Sequence, residues 1–170
     1  MTYHNLLSKT GRACVAYIVA MAAQNSLANV QAANIYPTKG VADKVIGAGM
    51  VICDAERWRS DDGNPGCYIV ETRIVVKTPG TNLLASEQFV SQVFDLFFAG
   101  VVDQDNTAVA DAITTAGQAL ATSDAVNNGD MAQFKCDEVF FDGGSVGETE
   151  NFWEDVLNLT LRVRAVSGTG

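Results

Sequence analysis

Few residues in this chain could do chemistry, and their spacing decides what kind. The sole histidine is His4, so histidine-assisted nucleophilic catalysis or a histidine-ligated metal would have to run through one side chain near the N-terminus. A frayed-end or interface role suits it better. Cys14, Cys53, Cys67 and Cys136 form no CxxC pair and fit no zinc-ribbon or zinc-finger spacing. Cys14 falls in an apolar helical run and the other three in strand-like segments. That placement predicts buried free thiols of a reducing compartment, with a Cys53–Cys67 bridge across a hairpin as the one alternative pairing.

Acidic and glycine-rich motifs are equally sparse. Asp61 and Asp62 lie within DDGNPG, a run of turn-forming residues, so they read as a turn rather than as an acid–base pair. Asp103 and Asp105 begin like a calcium loop, but Ala108 stands where glycine is needed and Thr114 where the bidentate glutamate belongs. GAGMVI, at positions 47–52, precedes a strand instead of following one, which disqualifies it as a dinucleotide loop. Gly143, Gly144 and Gly147 predict a mobile loop without a Walker lysine. Trp58 in ERWRS and Trp153 in NFWED each read two ways, as cover for an edge of the core or as the anchor of a protein–protein contact. No catalytic residue, cofactor or metal is expected.

The elements that must position these residues follow from periodicity. Residues 4–33 predict one long helix with a stripe of Leu7, Cys14, Ile18, Met21 and Ala22, flanked by Leu6, Ala13 and Tyr17, and weakened slightly by Gly11. Pro37 ends it. Two strands around SDDGNPG predict a long antiparallel hairpin, with Tyr68, Val70, Thr72, Ile74 and Val76 on one face of its second strand. SEQFVSQVFDLFF is an amphipathic helix presenting Val90, Val93, Phe94 and Phe97. An Ala-rich helical insertion spans about 101–131, with NNGD as its stop. FKCDEVFF predicts a strand alternating Phe134, Cys136, Glu138 and Phe140 against Lys135, Asp137, Val139 and Phe141; with both faces partly apolar, it is either central in the sheet or covered by a partner or by that helix. DGGSVGETEN is read as a loop into the last strand, where Leu157, Leu159, Leu161, Val163 and Ala165 alternate with polar residues that include Arg162 and Arg164. The expected class is α+β, one domain over 1–170, with a largely antiparallel sheet of about four strands and helices packed on one face.

Composition sets the outer bounds. Apolar residues at 48% and charged residues at 18% of 170 describe a folding chain with a sizeable core. A net charge of −9 argues against nonspecific DNA binding, since phosphate contacts require cationic side chains, but not against DNA passing by without adhering. The apolar run ACVAYIVAMAA is too short for a bilayer span and no signal peptide is apparent, so a cytosolic product without membrane contact is expected.

In element order the chain resembles the tail terminator (tail completion) proteins of long-tailed bacteriophages. The N-terminal helix, the hairpin ERWRSDDGNPGCYIVETRIVVKT, the helix SEQFVSQVFDLFF and the closing FWEDVLNLTLRVRAV carry the likeness. It spans most of the chain apart from 101–131, where the insertion departs from the family core, and none of its parts is a specific motif. The resemblance implies a virion structural protein, not an enzyme. It would be made in the host cytoplasm, form a homohexameric ring on the head-proximal end of the tail tube, and join that tube to the neck or head-connector protein. DNA would cross its lumen unbound, and an acidic lumen suits that passage. Trp58, Arg59, Asp61, Asp62, Trp153, Arg162 and Arg164 are the expected ring-interface residues. Arg162 and Arg164 would pair with carboxylates such as Asp61, Asp62, Glu148 or Glu150 of a neighbouring subunit or the next ring, or else lie solvated on an outer sheet face or reach carboxylates of their own chain. A tube or other neck ring protein is the alternative, and a small ligand-binding domain or enzyme a more distant one.

Overall fold

The computed structural model describes residues 3–27, 29–37, 49–80, 83–98, 106–148 and 152–164. Its class is α+β. Helix α1 (Tyr3–Gln24) leads through a short 3-10 turn to β1 (Ile35–Tyr36), then β2 (Met50–Ser60) and β3 (Cys67–Pro79). Helices α2 (Leu83–Phe98), α3 (Asn106–Ser123) and the one-turn α4 (Ala125–Asn128) precede β4 (Lys135–Glu148) and β5 (Phe152–Arg164). The strands form one sheet in the order β1-β2-β3-β5-β4, antiparallel except for β1 on β2. The sheet thus has five strands rather than four; the extra one is a two-residue parallel edge just past residue 33, where the first helix was expected to end.

That helix is shorter than its composition suggests. It stops at Gln24, because Ser26 takes a left-handed φ of 56° while its N–H donates to Ala23 O (3.2 Å) and the Leu27 N–H donates to Ala22 O (2.8 Å). This is a Schellman stop, in which two orphan carbonyls of the last turn are satisfied and Leu27 folds back onto the core. By length and composition alone, Leu6–Gln24 could cross a membrane, being longer than the run read from the sequence. Here it is the core helix, with Ala13, Cys14, Tyr17 and Ile18 buried against the sheet.

All three long helices lie on one face of the sheet. Their inward residues join Val70, Ile74 and Val76 of β3 and Leu157, Leu159, Leu161 and Val163 of β5 in one core. The predicted alternation of both strands is therefore the observed one. In α2 the fully covered residues are Val93 and Phe97, with Phe89 and Leu96 beside them, while Val90 and Phe94 are only partly covered. The Ala-rich segment is no appendage, since Val109, Ala110 and Ile113 of α3 belong to the same core. α3 ends at Ser123, ahead of NNGD, and Asp124 caps α4 by accepting from the Asn127 N–H (3.2 Å).

Two bulges rewrite the reading of β4. Asp137 is an extra residue against β5, so the alternation slips and Cys136, Val139 and Phe141 share the helix face while Glu138 and Phe140 point away. A second irregularity lies between Phe141 and Gly144, after which the strand resumes and runs to Glu148. Of the glycines expected in a loop, Gly144 and Gly147 are thus strand residues paired with β5, while Gly143 falls in the irregularity with a φ of 98°. The calcium-like Asp103 and Asp105, Gly47 and Ala48 of GAGMVI, Glu150 and Ala165 lie outside the described residues, as does the side chain of His4.

Candidate functional site

The hairpin expected from DDGNPG closes at one end of the sheet, and β5 ends beside it, with Cys67 opposite Arg164 and Ile69 opposite Arg162. Asp61 organises the turn. Its carboxylate accepts from the Asn64 side-chain amide (2.9 Å) and the Gly63 N–H (3.3 Å), and its carbonyl from the Asn64 N–H (3.0 Å). These donors, the Asn64 amide foremost and Arg162 adding to them, hold the Asp61 carboxyl below its ordinary pKa.

Arg162 finds its partners within its own chain. Its Nε lies 2.7 Å from Asp61 Oδ2, its Nη1 donates to Glu138, and its guanidinium sits 5.8 Å from the Phe140 ring centroid. Arg164 donates from Nε to Asp137 Oδ2 (2.6 Å), which raises the guanidinium pKa further. The Asp137 bulge brings that carboxylate within 3.8 Å of Lys135 Nζ as well. Of the two pairings the sequence left open for the arginines, these contacts are the intrachain one. Farther along the same helix-free face, Arg73 pairs with Glu56 (3.1 Å) and Lys77 with Glu154 (3.7 Å), around a buried apolar island of Met50, Ile52, Val75 and Val156.

Trp58 turns to the helix face, edge-on to Tyr68 at 5.3 Å, and is 36% exposed. Arg59 and Asp62 are exposed and make no ion pair among the described residues. Six of the seven candidate residues therefore gather at the hairpin end. Trp153 does not join them. It lies nine residues from Arg162 along β5, about 30 Å at the usual rise of a strand.

Trp153 instead lines a groove of about 550 Å³ between α2 and β5, with Glu87, Val90, Val146 and Asp155. Burial, then the neighbouring Glu87, raise the Asp155 pKa. Sequence reasoning passed over this pair, yet a signal was there. Asp155 occupies the inward row of Leu157, Leu159 and Leu161, where a carboxylate is out of place.

Three thiols are buried, Cys14, Cys53 and Cys136, and Cys67 is half-buried. Burial alone pushes Cys14 up to about 12 and is the main cause of the raised Cys53 and Cys136 values. All four are free, and the suggested Cys53–Cys67 bridge is absent. Cys53 faces the core opposite Ile74, whereas Cys67 sits seven residues away at the hairpin end. No group of three or more His, Cys, Asp or Glu among the described residues could hold a metal ion.

β4 is an edge of the sheet and not the central strand that its two partly apolar faces allowed, and α3 shields only its beginning. The Thr114 hydroxyl accepts from the Cys136 N–H (3.0 Å) and lies 3.1 Å from the Cys136 carbonyl, and the Gln118 amide donates to Phe134 O (2.8 Å). Thr114, the misfit of the supposed calcium loop, thus substitutes for a sixth strand. Thr114→Val strands both Cys136 groups and lowers unfolding stability by about 1–3 kcal/mol, measured by urea titration. Thr115→Val, whose exposed hydroxyl only bonds back to Asp111 O, leaves the midpoint unchanged. Beyond this clamp, Asp142–Glu148 is exposed throughout. No family model, curated protein or solved structure matches the chain.

Proposed function

We propose that this chain is a ring-forming structural subunit, a tail terminator that caps the head-proximal end of a phage tail tube and joins it to the head connector. The observation that carries the assembly part is the uncovered edge of β4. A sheet edge leaves backbone donors and acceptors unpaired, and proteins that stay monomeric cover it or place lysine or proline along it. Here Gly144–Gly147, past the irregularity and regularly paired with β5, carries no charge, no proline and no further bulge, and all four residues are exposed. A neighbouring copy would complete it.

The terminator part rests on the likeness in element order, to which the α+β class and the one-sided helix layer are congenial. The intrachain pairing of Arg162 and Arg164 fits a rigid ring subunit, because it fixes the hairpin end without help from a neighbour. The acidic balance of the chain suits a lumen that DNA must cross.

The test is to add the purified chain to tail tubes that are still elongating and to image their ends. The expected result is a cap on one end and arrested length. Long tubes formed by this protein alone would make it a tube protein, and a chain inert toward tubes would overturn the assignment.

A further inference from the structure

Among the described residues, no cationic side chain lines the groove at the far end of the sheet. The groove is lined by the apolar Val90, Val146 and Trp153 and by two carboxylates, Glu87 and Asp155, neither in an ion pair among the described residues. An aromatic wall beside paired carboxylates is a setting for a guanidinium, whose flat face packs on an indole while its N–H groups reach the oxygens. The carboxyl of Asp155 is held toward its neutral form by burial and by Glu87, so an incoming positive charge would relieve both.

The chain itself offers such a cation. Arg12, Arg57, Arg73, Lys77, Lys135, Arg162 and Arg164 each lie within 4.0 Å of a carboxylate of their own. Lys9 lies close enough to Asp130 to lower its pKa. Arg59 is the exposed guanidinium with no such partner among the described residues. It sits opposite Ile69, which is opposite Arg162, at the end of the sheet remote from Trp153. Some 30 Å of strand separates the two places, so Arg59 cannot reach the groove of its own molecule.

We infer that the groove of Glu87, Asp155 and Trp153 receives Arg59 of a second copy of this chain. Val146 belongs both to the groove and to the exposed stretch of β4, so a copy set against that edge lies beside the groove. The contact joins unlike patches at opposite ends of the subunit. It is therefore heterologous, the type that propagates head to tail and closes into a ring when the rotation permits. This inference rests on the ring-subunit reading and names its contact.

Charge reversal with rescue tests it, read as the concentration dependence of solution mass by sedimentation velocity. Both side chains are exposed, so Arg59→Glu and Glu87→Lys are expected to keep the wild-type melting curve. Each alone should weaken self-association at least ~10-fold, and the double variant should return to within ~3-fold of wild type. Single reversals without effect, or a double variant no better than the singles, overturn the assignment of the groove while the ring reading stands. A wild-type chain still monomeric at about 1 mM also overturns it. In that case the ring reading is decided separately by whether the same monomer caps tail tubes.

Discussion

Gly11→Ala lowers the stability of this protein by about 2–3 kcal/mol, although alanine is the better helix former by about 1 kcal/mol. The reason is where α1 crosses the sheet. A Cβ built on Gly11 meets the Pro37 carbonyl oxygen at 2.8 Å and the Cys53 carbonyl oxygen at 3.1 Å. Neither is the end of a flexible side chain. Cys53 is held in β2 opposite Ile74, and Pro37 directly follows β1, so relief would require shifting a helix carrying Leu6, Cys14 and Ile18 out of its seat. The helix gains propensity and loses register on the sheet, and the second effect is larger. Urea unfolding of Gly11→Ala checks the sign. An exposed control in the same helix, Ala20→Gly, costs about 1 kcal/mol by propensity alone. If both substitutions cost no more than that, the close crossing is not a stability determinant.

The fold was legible in the sequence wherever one physical rule governed a segment. The alternation of β5 and of β3 held because each strand has one face under helices and one face free. The hairpin at DDGNPG held because Asp61 and Asn64 fix the turn locally, through hydrogen bonds that need no distant partner. Readings failed where a distant contact decides. The end of α1 is set by Ser26, a residue type that does not announce a left-handed turn as glycine would. The slip in β4 comes from one extra residue at Asp137, and nothing in FKCDEVFF distinguishes a bulged strand from a regular one. Gly144 and Gly147 of DGGSVG look like loop residues because their strand conformation is imposed by pairing with β5.

The candidate site was legible only in part, for a related reason. Six of its residues are close in sequence to the turn or to the end of β5, and register brings them together. The pairing of Arg162 with Asp61 depends on β3 lying between two strands that the sequence does not show to be neighbours. The groove depends on α2 settling over the first residues of β5, which no local pattern encodes. An inward carboxylate at Asp155 was the available hint, and it points at the same place as the uncovered edge of β4.

Tyr17→Ala is the most damaging single truncation expected here, at about 3–5 kcal/mol, and Tyr17→Phe divides that loss into its parts. Tyr17 is fully buried, its ring 5.2 Å from that of Phe97, and its hydroxyl donates to the Leu96 carbonyl. That carbonyl is among the last four of α2, which have no partner inside the helix, so one side chain of α1 both packs on α2 and satisfies its end. Tyr17→Phe keeps the ring and orphans the carbonyl, for about 1–3 kcal/mol. The remainder of the alanine loss is packing. The same hydroxyl predicts an alkaline limb. Burial, with Cys14 adding to it, pushes the phenol up to about 12, against 10.0 when unfolded. A folded pKa above the unfolded one means the stabilisation is complete below about pH 10 and is lost as pH rises toward 12, by roughly 2–3 kcal/mol. Cys14, pushed up to about 12, loses stability over an overlapping range, so the Tyr17→Phe curve still falls, but less steeply than wild type. Unfolding free energies measured at several values between pH 9 and 12 separate the two, and parallel curves would mean that the phenol does not titrate with unfolding.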